Sequence, residues 1–199
     1  ARAWPVDGVV GENGGLWFWC DGQTMHRRFL QPKGERIANR ERLDTLAKVI
    51  LSTVPGCALA SDQPYRDLDL AIDFCEDVAH LGDAAIDTIV DLFQDAGATA
   101  KVSSIHVNGW FGNFDKLSGI GQFHLDRYRT AIDHTRWVFF GDSANDEPMF
   151  KAFEHSIGVA NVSEFFARMK HHPSWITQSS GGHGFVEGME QLLAGYTPN

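Results

Sequence analysis

The sequence predicts an α/β protein carrying an inserted α+β module, and three observations support that fold class. First, the apolar run 138–140 stops at Gly141, with Asp142, Asn145 and Asp146 directly behind it and Pro148 set to open a helix. A strand that ends in carboxylates just before a helix lies at the carboxyl edge of an α/β sheet, where ligands bind. Second, residues 155–161 read as another short parallel strand, ending at Asn161. Third, residues 35–107 read as helix, two strands, helix, two strands, an order that makes a layered module of its own.

From the N-terminus, residues 7–15 form a short strand running into the turn Glu12-Asn13-Gly14-Gly15. Residues 16–20 give a second strand, Asp21-Gly22 signals a hairpin, and 24–30 supply its partner. Over 35–54, Ile37, Leu43, Leu46, Ala47, Ile50 and Leu51 recur at helical spacing until Pro55-Gly56 stops the helix. Residues 57–60 and 68–74 are strands; in the second, Leu68, Leu70, Ile72 and Phe74 alternate with Asp69, Ala71 and Asp73. A second helix spans 81–96 on Ile86, Ile89, Val90 and Phe93, with Gly97 closing it. Residues 99–103 and 105–107 follow as strands, and Trp110 and Phe111 read as hinge packing. Past the central loop, 165–170 is helical and 175–177 is a last strand. Gly181-Gly182-His183-Gly184 is a turn leading to a terminal helix.

Composition narrows the function classes. At 199 residues and 43% hydrophobic, the chain sustains one substantial core or two small ones. A net charge of −9 argues against nucleic acid or an anionic membrane as a bulk electrostatic partner. It leaves room for a small phosphorylated metabolite, met locally by a metal ion and a lysine. Cys20, Cys57 and Cys75 are an odd number without metal-ligand spacing, which points to a reducing, cytoplasmic setting. No apolar run approaches membrane-spanning length, and no histidine pair has zinc spacing. The sequence leaves the oligomeric state open. Two aspartates and an asparagine within 142–146 offer hard oxygen donors, which suit Mg²⁺ better than zinc or copper. Helix capping accounts for one of them but not for the cluster.

Gly141-Asp142-Ser143-Ala144-Asn145-Asp146 resembles the fourth motif, GDxxND, of the haloacid dehalogenase (HAD) superfamily, in its Cof-type and sucrose-phosphatase-like subgroup. Glu12-Asn13-Gly14-Gly15 is similar to the turn that this subgroup carries just before its cap. Lys116, ahead of Leu117-Ser118-Gly119, is similar to the lysine of its third motif. The resemblance implies a HAD-like Rossmannoid core in 1–25 and 113–199, with an α+β cap at 26–112. It also implies Mg²⁺-dependent hydrolysis of a small phosphate monoester, such as a sugar phosphate. Asp142 then ligates Mg²⁺, Asp146 ligates it or holds its water, and Asn145 orients that shell. Lys116 neutralises charge on the transferring phosphoryl group. His106, Asn108 and Asn161 are the expected substrate contacts, and the cap closes over the site to exclude water.

The family's DxDGT strand, whose first aspartate attacks phosphorus, is not found in the sequence, and neither is its Ser/Thr motif. The only Asp-Xaa-Asp is Asp67-Leu68-Asp69, which lacks the following Gly-Thr and reads as cap surface or hinge. The chain begins at Ala1, just short of the Glu12 turn, so both motifs are expected upstream of it. Two other readings stay open at this stage: a non-catalytic remnant or binding module, and phosphoryl transfer between sugar positions.

Overall fold

A computed structural model of the chain describes residues 3–194, which divide into two compact units, Ala1–Ala131 and Ile132–Asn199. In the first unit, strands β1 (Val9–Gly11), β2 (Leu16–Asp21) and β3 (Thr24–Phe29) form an antiparallel sheet in that order. Trp17 and Trp19 of β2 bury their rings with Phe123 of helix α3 (Lys116–Tyr128), which gives this sheet its apolar face. Between these pieces lie α1 (Lys33–Thr53), β4 (Ala58–Leu59), β5 (Asp69–Asp73), α2 (Asp83–Asp95), β6 (Thr99–Val102) and β7 (His106–Trp110). The four strands make one antiparallel sheet in the order β4-β5-β7-β6. Helix, two strands, helix, two strands is the expected order, with β7 running three residues further than expected.

The two faces of that sheet differ in kind. Leu43 and Ile50 of α1 and Ile86, Ile89 and Phe93 of α2 are buried at helical spacing. Gly109 of β7 packs against the Phe93 ring, so the helices cover the face bearing Leu70, Ile72 and Val107. The opposite face carries Asp69 and Asp73 of β5, paired in register with Trp110 and His106 of β7. The alternation along 68–74 is therefore real, but it does not mean solvent exposure. Asp69 and Asp73 are both 0% exposed, and the reading of Asp69 as surface or hinge is corrected. Asp69 is held by Arg66, just ahead of the strand, and by the distant Asn13, and Asp73 by amides just past the strand.

In the second unit, β8 (Val138–Gly141), β9 (His155–Gly158) and β10 (Trp175–Ile176) form a parallel sheet in the order β10-β9-β8. Helix α4 (Glu147–Ala152) follows β8, and α5 (Gly181–Ala194) follows β10. Ala144, Phe150, Val162 and Met169 form the core, with Phe139, Phe165 and Phe166 packed against it. β8 is an edge strand among the described residues, and its Val138 is exposed. The helical reading of 165–170 is met as far as residue 168, inside the 3₁₀ segment Ala160–Arg168. One expectation needs correction: Gly181–Gly184 is the first turn of α5 and not a turn ahead of it. A Cβ on Gly184 would lie 2.2 Å from the Ser179 carbonyl oxygen, so only glycine lets this helix start so close to the strand end.

Candidate functional site

The loop after β8 gathers four of the predicted residues. Gly141 ends the strand, and a Cβ there would sit 2.8 Å from Asp146 Oδ2, so glycine is what allows the loop to fold back on itself. Asp146 Oδ2 accepts hydrogen bonds from the amides of Asp142 (2.9 Å) and Ser143 (3.4 Å). The Ser143 hydroxyl donates to Asn145 Oδ1 at 3.1 Å and reaches Asp142 Oδ1 at 3.3 Å. Asn161 Nδ2 donates to the Asp142 carbonyl at 3.2 Å, while its Oδ1 accepts from the Gly181 amide at 3.0 Å. Asn161 thus ties the loop to the start of α5. Asn145 and Asp146 are buried, and Asp142 is half-buried.

The donor set answers in part the question of a metal. Asp142, Asp146 and the side-chain oxygen of Asn145 are hard donors of the kind Mg²⁺ prefers. Among the described residues no group of three or more His, Cys, Asp or Glu side chains is gathered as a metal site. The loop therefore fits a partial oxygen shell, with Mg²⁺ keeping several waters as it commonly does.

Lys116 lies in the first unit as the opening residue of α3, half-buried. Asp115 caps that helix: its Oδ1 accepts from the Ser118 amide at 2.8 Å, and Ser118 Oγ accepts from the Asp115 amide at 2.9 Å. A lysine gains nothing from the positive end of a helix dipole, so its place there is not explained by helix stability. His106 and Asn108, both on β7 and both buried, line a polar cavity of about 370 Å³ within the first unit.

Sequence reasoning missed the charged centre of that cavity. Arg66 donates from Nε and Nη2 to both oxygens of Asp62 (2.8 and 2.9 Å) and from Nη1 to Asp69 Oδ1 (3.1 Å). Nη1 also reaches Asn108 Oδ1 at 3.5 Å. Burial alone would lower the Arg66 pKa, but Asp62 and Asp69 outweigh it and hold the guanidinium above its ordinary range. Asp69 also accepts from Asn13 Nδ2 at 3.0 Å. Burial pushes the Asp69 carboxyl up, even against Arg66. Glu12 accepts from the consecutive amides of Asp67, Leu68 and Asp69. Burial first, then the Asp69 charge, pushes the Glu12 carboxyl up to about 7. This bonding holds Glu12 (φ 46) and Asn13 (φ 54) in left-handed backbone that side chains normally avoid. At the far end of β5, Asp73 accepts from the amides of Cys75, Glu76 and Asp77. Burial opposes its charge, yet those amides win and hold its carboxyl below the ordinary range. The sequence signal that was available is Arg66 three residues ahead of Asp69.

Comparison with known proteins bears on the chain in three ways. The pattern of the haloacid dehalogenase-like hydrolases matches residues 74–189. A phosphoglycolate phosphatase of Methanosarcina mazei is 36% identical over 98 residues, 49% of this chain and 38% of that protein. The chain thus matches well under half the length of that curated relative. Two solved structures share the fold. One is a Thermoplasma acidophilum protein (TM-score 0.60, 18% identity, 92% of this chain and 71% of that one). The other is the sucrose-phosphatase of Synechocystis (TM-score 0.61, 14% identity, 93% of this chain and 73% of that one). The family pattern spans more than half of the chain and contains both Lys116 and the Gly141–Asp146 loop, and the protein belongs to the haloacid dehalogenase-like hydrolases.

Proposed function

We propose that the protein serves Mg²⁺-dependent hydrolysis of a small phosphate monoester, with residues 26–112 acting as the cap. The observation that carries the reading is the loop at the carboxyl end of β8. There Asp142, Asn145 and Asp146 are brought together, inside the matched family region, by bonds that the loop makes to itself. A phosphatase relative of 36% identity supports the reaction class. Asp142 and Asp146 would hold Mg²⁺, Asp142 being the less buried of the two. When bound, the ion would neutralise charge on the phosphoryl oxygens. Asn145 would keep the loop in register through Ser143, and Asn161 would fix its backbone at Asp142. Lys116 would supply the compact positive charge for the transferring group.

The attacking carboxylate is not Asp67 or Asp69. Asp69 is fully buried behind Arg66, and Asp67 is ion-paired with Arg27 on the surface. The proposal is tested by phosphate release from 2-phosphoglycolate, a hexose phosphate and an aryl phosphate. Each is assayed with the 199-residue chain alone and with a relative's upstream segment, carrying both the DxDGT strand and the Ser/Thr motif, joined ahead of Ala1. The expected result is Mg²⁺-dependent turnover in the extended chain, abolished by chelator and reduced by orders of magnitude in Asp142→Ala. Turnover indifferent to Asp142→Ala or to chelator would overturn it.

A further inference from the structure

We propose that Glu147 is a positioning residue for the loop after β8: it anchors the start of α4 and thereby sets the direction of Asp146. The proposal deepens the phosphatase reading, on which it rests only for identifying what Asp146 holds as Mg²⁺. Glu147 directly follows Asp146 in the chain. Its amide donates to the Ala144 carbonyl inside the loop. Its Oε1 accepts from the amides of Lys170 (2.6 Å) and His171 (3.0 Å), 23 and 24 residues further on. One residue therefore joins the end of the loop to a different part of the second unit.

The loop gains from such a tie because α4 is a weak support. With six residues, Glu147–Ala152, it is too short to hold itself as a helix. Pro148 removes one amide from its first turn. Met149 and Phe150 are buried and pin its middle, and Glu147 pins its first residue. Asp146 is the N-cap of this helix, so a rotation of the first turn carries the Asp146 side chain with it. The favourable place of negative charge at a helix start accounts for an acidic residue here. It does not account for two charge-assisted bonds to a remote connection.

The far end of the tie is well held. Met169 is buried in the core, and its amide donates to the Phe166 carbonyl at 3.2 Å. The His172 ring stacks on Phe166, with centroids 4.2 Å apart. Pro173 lies against Gly158 of the middle strand β9, where a Cβ would come within 2.6 Å of the proline ring. The Ser174 amide donates at 3.1 Å to Ser156 Oγ, also on β9. Through Glu147, the loop is thus fixed to β9 as well as to its own strand β8.

The test uses the intact 199-residue chain at pH 7.5 with three variants, Glu147→Ala, Glu147→Gln and Ser156→Ala. The first removes the acceptor, and the second keeps an acceptor oxygen without the charge. The third loosens the Ser174 end of the same connection and leaves Glu147 untouched. The amides of Asp142 and Ser143 donate to Asp146 Oδ2, so they report its orientation. Their hydrogen exchange is expected to be at least tenfold faster in Glu147→Ala and within threefold of the parent in the other two. In Mg²⁺ titrations followed by the NMR shifts of the same amides, the midpoint should rise at least fivefold in Glu147→Ala and less than twofold in the other two. Unchanged exchange in Glu147→Ala overturns the proposal. So does a Glu147→Gln chain as impaired as Glu147→Ala, which would make the effect one of charge. A Ser156→Ala chain that shifts as far would make it one of general stability and overturns it too. Equal Mg²⁺ midpoints in the parent and Glu147→Ala would remove the positioning role and leave the phosphatase reading standing. Faster exchange in Glu147→Ala without any Mg²⁺ shift in the parent does the reverse.

Discussion

Two turns in this protein are organised by a buried or half-buried carboxyl that collects backbone amides, and they differ in reach. Asp146 accepts from amides three and four residues behind it. Glu12 accepts from amides 55, 56 and 57 residues ahead of it. The bonding chemistry is the same. The local turn is complete within six consecutive residues and exists wherever that hexapeptide folds. The distant one exists only when β5 has been brought to it, and it therefore reports on the whole of the first unit.

The comparison can be broken most forcefully at Arg66. Arg66→Met leaves Asp69 fully buried without its charge partner, a change expected to cost about 3–5 kcal/mol. Urea unfolding of the variant measures that loss, and adding Asp69→Leu should restore most of it. An Arg66→Met protein as stable as the parent would show that Asn13 alone suffices for Asp69. The local turn is next. In Gly141→Ala the new Cβ meets the Phe150 ring at 2.6 Å and Asp146 Oδ2 at 2.8 Å. A cost of about 1–3 kcal/mol is expected from such overpacking, read from the thermal midpoint of unfolding.

Acid sharpens the contrast. The Glu12 carboxyl is raised from 4.5 to about 7, so the folded protein holds this proton more tightly than the unfolded chain does. Its contribution to stability is full below pH 4.5, declines as pH rises and is lost once pH passes about 7. Glu12→Gln should flatten that decline by on the order of 2 kcal/mol, seen in urea midpoints taken between pH 5 and 8. An unchanged pH profile would place the sensitivity elsewhere. The smallest effect belongs to Asn161→Ala, which removes two hydrogen bonds from the second unit. A loss of about 1–2 kcal/mol is expected, with faster hydrogen exchange at the Gly181 amide as its local mark.

The same difference in reach governs what could be read from the sequence. The β8 strand, its glycine stop, the clustered Asp142, Asn145 and Asp146 and the helix opened around Pro148 are all short-range features, and each stands where expected. So do the two long helices of the first unit, because apolar spacing of three and four residues needs no knowledge of the partner. Asp69 and Asp73 were legible as one face of a strand but not as buried groups. Alternation gives the face and says nothing of what covers it. Asp73 is covered by its own following turn, Asp69 by Arg66 and by Asn13 from 56 residues away. The glycine-rich start of α5 was misread for a related reason: glycine usually breaks a helix, and the close approach of Ser179 that requires it is invisible in the sequence.

The span between Glu12 and β5 also imposes an order on assembly. Closing a loop of more than fifty residues carries an entropic cost and takes far longer than closing a six-residue turn. Amides 67–69 should therefore gain protection late in pulse-labelled refolding, after those of Asp142 and Ser143. In a cell the chain emerges N-terminus first, so Glu12 is synthesised well before its partners. Until residue 69 has left the ribosome, the carboxyl that anchors the finished unit is an ordinary hydrated glutamate on a growing chain.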